Sequence, residues 1–526
     1  MESSDDAAKT APPGKKAPKF PKTFWIANTM EIFERMAWYG FFAVSSLYLT
    51  NPRSEGALGF TSQQRGTLQG AVTFILYLLP VLSGALADRY GYKKMFAIAF
   101  AILTPAYFLL GQFDSYGGFF AVFLLVAVGA AVFKPVVVGT VARTTTEETG
   151  TMGFGIFYMM VNIGGFVGPI VAGIVRGWSW NYVFVASSVW IACNFIWLFL
   201  FYDEPTKEAQ SEKPRTLKKV MNDMVDVLGT GRLFLTVLVC FTFLVVATNE
   251  WMTWRDSLIV IAVWLVINIS YDLLLRNSSI HHGSWITTPM RIGNWRFVLF
   301  LVILSGFWTA FNQIFFTMPE YIRDFVDTTD LLYSMQSIAS AVGWSGAVDT
   351  LQGAIDSGYQ VNPEYIVNVD AGAIVLFQVL VSWTMSRFPA FTTMVVGTIV
   401  AGIGLVIGGW ATAGWVAVGA IVVFAFGEMA ASPKSQEYIG RIAPRDKVAL
   451  FMGYYFVAIA LGNLFGGIIS GLGYQKLALD MNRPDIMWWM FGGIGFATAV
   501  GLMLYNRFVA PGWRKQVAEQ NNSLSA

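Results

Sequence analysis

Glu31, Glu34 and Arg35 stand at spacings i, i+3 and i+4, so a helix would carry all three on one face. They lie inside a long apolar run that begins near Phe24, about 10 Å deep at 1.5 Å per residue. Two carboxyl groups this close resist joint ionisation, so one is expected to hold a proton beside the guanidinium. That is the chemistry a proton carrier needs. The plainer alternative is a static ion cluster that holds this helix to its neighbours, although three charges are costly for packing alone. Lys134, in Phe133-Lys134-Pro135, is a fourth charge in an apolar run, about 13 Å before Arg143. A long side chain covers part of that distance by snorkelling. Otherwise Lys134 needs an anion, and Glu31, Glu34 or a substrate carboxylate is the expected partner. Glu428 lies near the middle of a later run, where a lone acid is a candidate ligand for an ammonium group. Lys434 and Glu437, nearer the end of that run, read as gate or interface residues. Asp370 reads as a solvated helix-start residue. Cations on one side (Arg35, Lys134) and an acid on the other (Glu428) suit a zwitterion held between them. Trp38, Tyr39, Trp308 and Phe311 could pack its side chains.

The elements that position these residues follow from composition. The chain has 526 residues, 55% hydrophobic and 13% charged, with a mean hydropathy of +0.55. Soluble chains carry roughly 25% charged residues, so a soluble multidomain protein is excluded and a polytopic all-α membrane protein remains. Net charge is +2, which gives no reason to expect nucleic acid as a partner. The two cysteines, Cys193 and Cys240, lie in apolar runs and suggest neither a disulfide scaffold nor a metal site. His281 and His282 read as solvated linker residues. A bilayer-spanning helix needs about 20 apolar residues. Runs of that kind start near Phe24, Arg65, Met95, Gly118, Gly153, Asn181, Leu233, Ser257, Arg296, Ile366, Phe391, Trp415, Val448 and Met487, about fourteen spans in all. Charge inside such a span costs ~2.5–3.5 kcal/mol even on the most lenient scale, so the charges above call for a function or a partner.

Most of the 35 Lys and Arg fall on one side if the N-terminus is cytoplasmic, leaving Arg53, Arg65, Arg176, Arg255, Arg323, Lys476 and Arg483 outside. Both termini are then expected in the cytoplasm, in a multi-pass protein of the cell (inner or plasma) membrane. The expected organisation is a disordered tail (1–23), a six-helix bundle (24–202), a cytoplasmic linker (203–231), two extra helices (232–276), a second linker (277–294), a second six-helix bundle (295–508) and a tail (509–526). The long external segment 319–365 has room for amphipathic helices. Six spans on either side of an insertion suggest two bundles moving about a midplane site. No Walker-type loop is visible, so ATP drive is not expected.

These residues resemble the proton-dependent oligopeptide transporter family of the major facilitator superfamily. The family's first-span motif, Glu-x-x-Glu-Arg-Phe followed by x-Tyr-Tyr-Gly, stands here as Glu31, Glu34, Arg35, Met36, Trp38, Tyr39 and Gly40. Phe133-Lys134-Pro135 matches its fourth-span motif, and Phe157-Tyr158-Met159-Met160-Val161-Asn162-Ile163-Gly164 its fifth-span signature. The superfamily loop appears from Gly84 to Lys94, and Gly427-Glu428 and Ser432-Pro433 match in span ten. The two extra helices resemble those of prokaryotic members.

The resemblance implies a major facilitator fold of two six-helix bundles plus two additional helices. It implies a non-enzymatic, proton-coupled symporter of di- and tripeptides, with small peptides, protons and membrane lipids as partners. It implies no cofactor, the proton gradient being the drive. Glu31, Glu34, Arg35 and Lys134 would couple the proton. Arg35, Tyr39, Lys134, Asn162, Trp308, Asn312 and Glu428 would meet the substrate, and Asp88 and Arg89 would belong to the cytoplasmic gate. Several positions depart from the family pattern. Val72 replaces a Tyr, Trp38 replaces the first Tyr of the pair, and Phe42 and Asn312 are neutral where an outer-gate ion pair is common. Asp370 aligns with a position that is usually Asn. The departures leave room for another zwitterionic or anionic solute, such as an amino acid conjugate or nitrate. A sensor built on the transporter fold is a third reading, disfavoured by the complete acid–base set.

Overall fold

The computed structural model describes residues 20–80, 90–146, 149–205, 229–276, 286–290, 292–444 and 448–525. Helices dominate them. The first group is α1 (Lys22–Thr50), α2 (Ser62–Leu78), α3 (Tyr92–Leu110), α4 (Tyr116–Arg143), α5 (Gly150–Arg176) and α6 (Trp180–Leu200). Then come α7 (Gly231–Thr248) and α8 (Trp254–Arg276). The rest begins with α9 (Trp295–Phe311), which a short turn, Gln313–Phe316, extends. It continues with α10 (Met318–Phe325), α11 (Thr329–Ala341), α12 (Ser345–Asp356), α13 (Val369–Met385), α14 (Ala390–Gly408), α15 (Gly414–Ile442), α16 (Val448–Gly473), α17 (Pro484–Phe508) and α18 (Ala510–Ser525).

Local chemistry sets several of the starts. Thr61 and Gln64 form a reciprocal capping box at α2: the Gln64 amide donates to the Thr61 hydroxyl and the Thr61 amide to the Gln64 side chain. Ser115 and Asn294 accept from the first-turn amides of α4 and α9. Twelve helices among the described residues are long and apolar enough to cross a membrane. To these α1 adds 29 residues interrupted by its charge trio, and α2 a 17-residue described stretch.

The buried apolar side chains sort into two large cores. One, around Phe41, Phe100, Phe123 and Phe133, holds α1–α6 together; the other, around Phe300, Leu304, Trp488 and Phe491, holds α9–α11 and α14–α18, and a small cluster of Ala373, Ile374, Ala425 and Met429 joins α13 to α15. A smaller cluster at the seam takes Phe74 of α2, Phe241 of α7 and Leu464 of α16. Thus α7 packs against both halves. Its partner α8 turns an apolar face outward, with Val266, Ile267 and Ile269 more than half exposed, which only a lipid phase satisfies. An Arg232–Asp272 ion pair, with Asn268 also accepting from Arg232, joins α7 to α8.

The long segment 319–365 is largely helical, as α10, α11 and α12. It is tied down where Asp330 of α11 accepts from the Gly414 and Trp415 amides at 3.0 and 2.9 Å, capping α15. The charge reading needs a correction here. Arg65 and Arg176, counted as external loop residues, lie within α2 and α5, and Arg65 is fully buried. Each has an acidic partner from the other half, which offsets part of the cost of placing it there.

Candidate functional site

A cavity of about 990 Å³, counting the space open to solvent, lies between the two halves. Helices α1, α2 and α5 supply one wall, and α9, α13, α15 and α16 the other.

The charge trio of α1 is buried behind the first wall. Glu31 is 3%, Glu34 0% and Arg35 5% exposed. Arg35 Nε lies 3.2 Å from Glu31 Oε1 and donates to Glu34 Oε2 at 2.5 Å. Glu31 Oε2 and Glu34 Oε1 have no hydrogen-bond partner. Gly164 of α5 makes this packing possible: a Cβ there would lie 2.6 Å from Arg35 Cβ, so only glycine lets α5 close over the trio. On the other side α6 fastens α1 through Asn194 Nδ2, which donates to Met30 O, and Ser187 Oγ, which donates to Ala37 O.

The structure rearranges several sequence expectations. No ion pair within 4 Å joins Lys134 to Glu31 or Glu34; Arg35 pairs with both acids. Instead the Lys134 ammonium sits 4.0 Å from the centre of the Tyr77 ring. The Arg35 guanidinium lies 5.8 Å from the Tyr39 ring. Tyr39 and Tyr77 line the cavity, whereas Arg35 and Lys134 do not. The two cations are therefore screened from the cavity by two phenols. Tyr77 carried no signal in the sequence.

Asn162, Asn312 and Glu428 do line the cavity. Asn162 Nδ2 and Asn312 Nδ2 each donate to the carbonyl four residues earlier, Tyr158 O and Trp308 O. Trp308 stands one layer back, its ring 4.9 Å from that of Phe311, which forms the wall. Asp370 departs furthest from expectation. It is 2% exposed, faces the cavity and lies within hydrogen-bonding reach of Glu428, so it is no solvated helix start. Lys434 and Glu437 pair with each other at 2.8 Å. Asp88 and Arg89, expected in a gate, and His281 and His282 lie outside the described residues.

At the end remote from the chain termini the halves are locked together. Arg65 Nε of α2 lies 2.6 Å from Glu320 Oε1 of α10, with both side chains fully buried. Ser62 Oγ donates to Glu320 Oε2 at 2.9 Å, and Arg65 Nη1 donates to Ser470 Oγ of α16. A second pair joins Arg176 of α5 to Glu364, 3.2 Å apart. Arg323 of α10 donates to Thr50 Oγ1 and Asn51 Oδ1 at the end of α1. Beside the first pair α2 and α16 touch backbone to backbone: a Cβ on Gly66 would lie 2.3 Å from Gly467 O. The neutral positions Phe42 and Asn312 both line the cavity, so the tie between the halves sits further out, on these ion pairs.

Comparison with known proteins agrees with this architecture. The peptide transporter YePEPT of Yersinia enterocolitica is 21% identical over 468 residues, 84% of this chain and 86% of that one. The dipeptide and tripeptide permease A of Serratia proteamaculans is 21% identical over 510 residues, 92% and 90% of the two chains. A crystal structure of the peptide transporter POT in complex with sulfate superposes with a TM-score of 0.67 at 18% identity, covering 94% of this chain and 95% of that one. Residues 29–351 match the Major Facilitator Superfamily as a family. That is more than half of the chain, and with two helical cores facing a shared cavity the protein belongs to the Major Facilitator Superfamily.

Proposed function

We propose that this protein is a proton-coupled symporter that imports di- and tripeptides by alternating access, a member of the proton-dependent oligopeptide transporters. The observation that carries the reading is the buried Glu31–Glu34–Arg35 cluster directly behind the wall of a cavity between two bundles. A proton taken up by either acid leaves Arg35 with one anionic partner in place of two. The freed guanidinium then answers a substrate carboxylate, once Tyr39 turns aside. Lys134 does the same behind Tyr77. Glu428 receives the amino end, Asn162 and Asn312 the peptide backbone, and Phe311, supported by Trp308, the side chains.

The end carrying Arg65–Glu320 and Arg176–Glu364 is read as external, from the excess of Lys and Arg at the other end. Both termini are then cytoplasmic, in the inner or plasma membrane, and the external end is the closed one. Asp88 and Arg89 belong to the opposite, cytoplasmic gate. Protons, small peptides and lipids are its partners, with no nucleic acid and no cofactor.

Purified protein in liposomes, given an inward proton gradient and labelled dialanine, tests the reading. Gradient-dependent uptake is expected. Its absence across a panel of di- and tripeptides would sink the peptide assignment. A thermal-shift screen that favours another zwitterion would redirect it.

A further inference from the structure

Asp370 of α13 and Glu428 of α15 meet in the cavity wall, and their carboxyl groups lie within hydrogen-bonding reach of each other. Asp370 is almost wholly buried. Among the described residues no N–H or O–H donor of another group reaches its Oδ1 or Glu428 Oε2, although both side chains face the cavity. An ionised carboxylate only accepts hydrogen bonds. Two carboxyl groups can therefore bond to each other only when one carries a proton.

Among the described residues no cation stands in for that proton. Asp370 is the one titratable residue of α13, and α14, which packs along α15, has none. On α15 itself Lys434 and Arg441 are both bound to Glu437. Beside α13 the preceding turn brings Tyr365 and Glu364, the latter taken by Arg176, while Asp330 of α11 accepts from amides at the start of α15 and Tyr333 is exposed. From α1, α5 and α16 the groups that face Glu428 are the phenols of Tyr39, Tyr158 and Tyr455. Arg35 lies on the opposite side, engaged with Glu31 and Glu34.

We infer that Asp370 and Glu428 form a proton–ammonium exchange site. The pair shares one proton when the cavity is empty and releases it to solvent when the ammonium of a substrate enters. Charge balances across the step. The empty pair with its proton carries −1, and two carboxylates with an ammonium again carry −1. The ammonium brings three N–H donors where the shared proton supplied one. Asp370 is thereby a specificity-determining residue that favours solutes with a free amine. The inference rests on the substrate reading given above for Glu428.

Calorimetry on the full chain tests it, with dialanine and N-acetyl-dialanine titrated at one pH in two buffers of different ionisation enthalpy. The wild type is expected to release about one proton more per dialanine than Asp370→Asn does. N-acetyl-dialanine should show no such difference. Equal proton counts in wild type and variant would overturn the exchange site while leaving peptide binding intact. A failure of every peptide to bind would instead overturn the substrate reading. Infrared difference spectra need no substrate. The empty wild type should show a protonated-carboxyl band that Asp370→Asn and Glu428→Gln each remove. A wild type without that band overturns the inference, whether or not either variant folds well enough for calorimetry.

Discussion

The Lys134 ammonium lies 4.0 Å from the centre of the Tyr77 ring, and Tyr77 forms part of the cavity wall. A desolvated contact of this kind is worth about 2 kcal/mol. The ring both holds the cation and closes it off. With Cys193 and Cys240 replaced by Ser, Lys134→Cys should react slowly with a water-soluble thiol reagent. Adding Tyr77→Ala should raise that rate ~10-fold or more, as thiol reactivity follows exposure, whereas Tyr77→Phe should leave it low. Equal rates in all three backgrounds would mean that Tyr77 is no screen.

Glu34 accepts from Arg35 while fully buried. Glu34→Gln removes a proton acceptor with little change in volume. Gradient-driven accumulation in liposomes is expected to vanish, while exchange of labelled for unlabelled peptide, which needs no net proton movement, persists. Accumulation at the wild-type level would show that the coupling proton travels elsewhere.

The Arg65–Glu320 pair is fully buried and joins the two halves. Removing one partner of such a pair costs about 3–5 kcal/mol, because the other charge is left stranded. Here the stranded Arg65 can reach water if the halves part, so Glu320→Gln should favour the conformation open at this end. A bifunctional thiol reagent should link Asn51→Cys to Arg323→Cys readily with Glu320 present and poorly with Glu320→Gln. Unchanged yield would remove the pair from the gate.

At Gly66 any side chain meets the backbone of α16, its Cβ 2.3 Å from Gly467 O. Gly66→Val is expected to yield folded, monodisperse protein that binds peptide yet transports none, because this end no longer closes. Normal uptake by the variant would show that α2 and α16 need not approach this closely in any working state.

The Arg232–Asp272 pair connects α7 to α8 far from the cavity. Asp272→Ala should lower the Tm in detergent and leave the KM for peptide uptake unchanged. A changed KM would give α8 a part in transport that its outward-facing side chains do not suggest.

Much of this was legible in the chain before folding. The spans follow from runs of about 20 apolar residues, since a bilayer leaves a helix few other ways to satisfy its backbone. The trio on α1 follows from local spacing, because i, i+3 and i+4 place side chains on one face whatever the surroundings. Glu428 and Asn162 were recognisable from motif and depth, and Asn312 from its departure from the family pattern; all three line the cavity. Arg65 and Arg176 were not, because nothing nearby in sequence marks them as paired; their acids come from α10 and the turn before α13, in the other half of the molecule.

Asp370 shows the same limit. Near the start of a helix an aspartate ordinarily meets solvent, and only the packing of α13 against α15 turns it inward to Glu428. Lys134 was visible as a buried charge, but its partner was not. An acid was the electrostatic expectation; instead the ammonium lies over a tyrosine ring on α2, while Arg35 pairs with both acids. By itself, then, the sequence determined the membrane class, the two-bundle plan and the identity of the charged residues, all of which depend on local composition and helical period. Tertiary structure alone decided which charge faces which partner. Ion pairing and screening are set by distances of a few ångströms between helices far apart along the chain, and no local pattern encodes those distances.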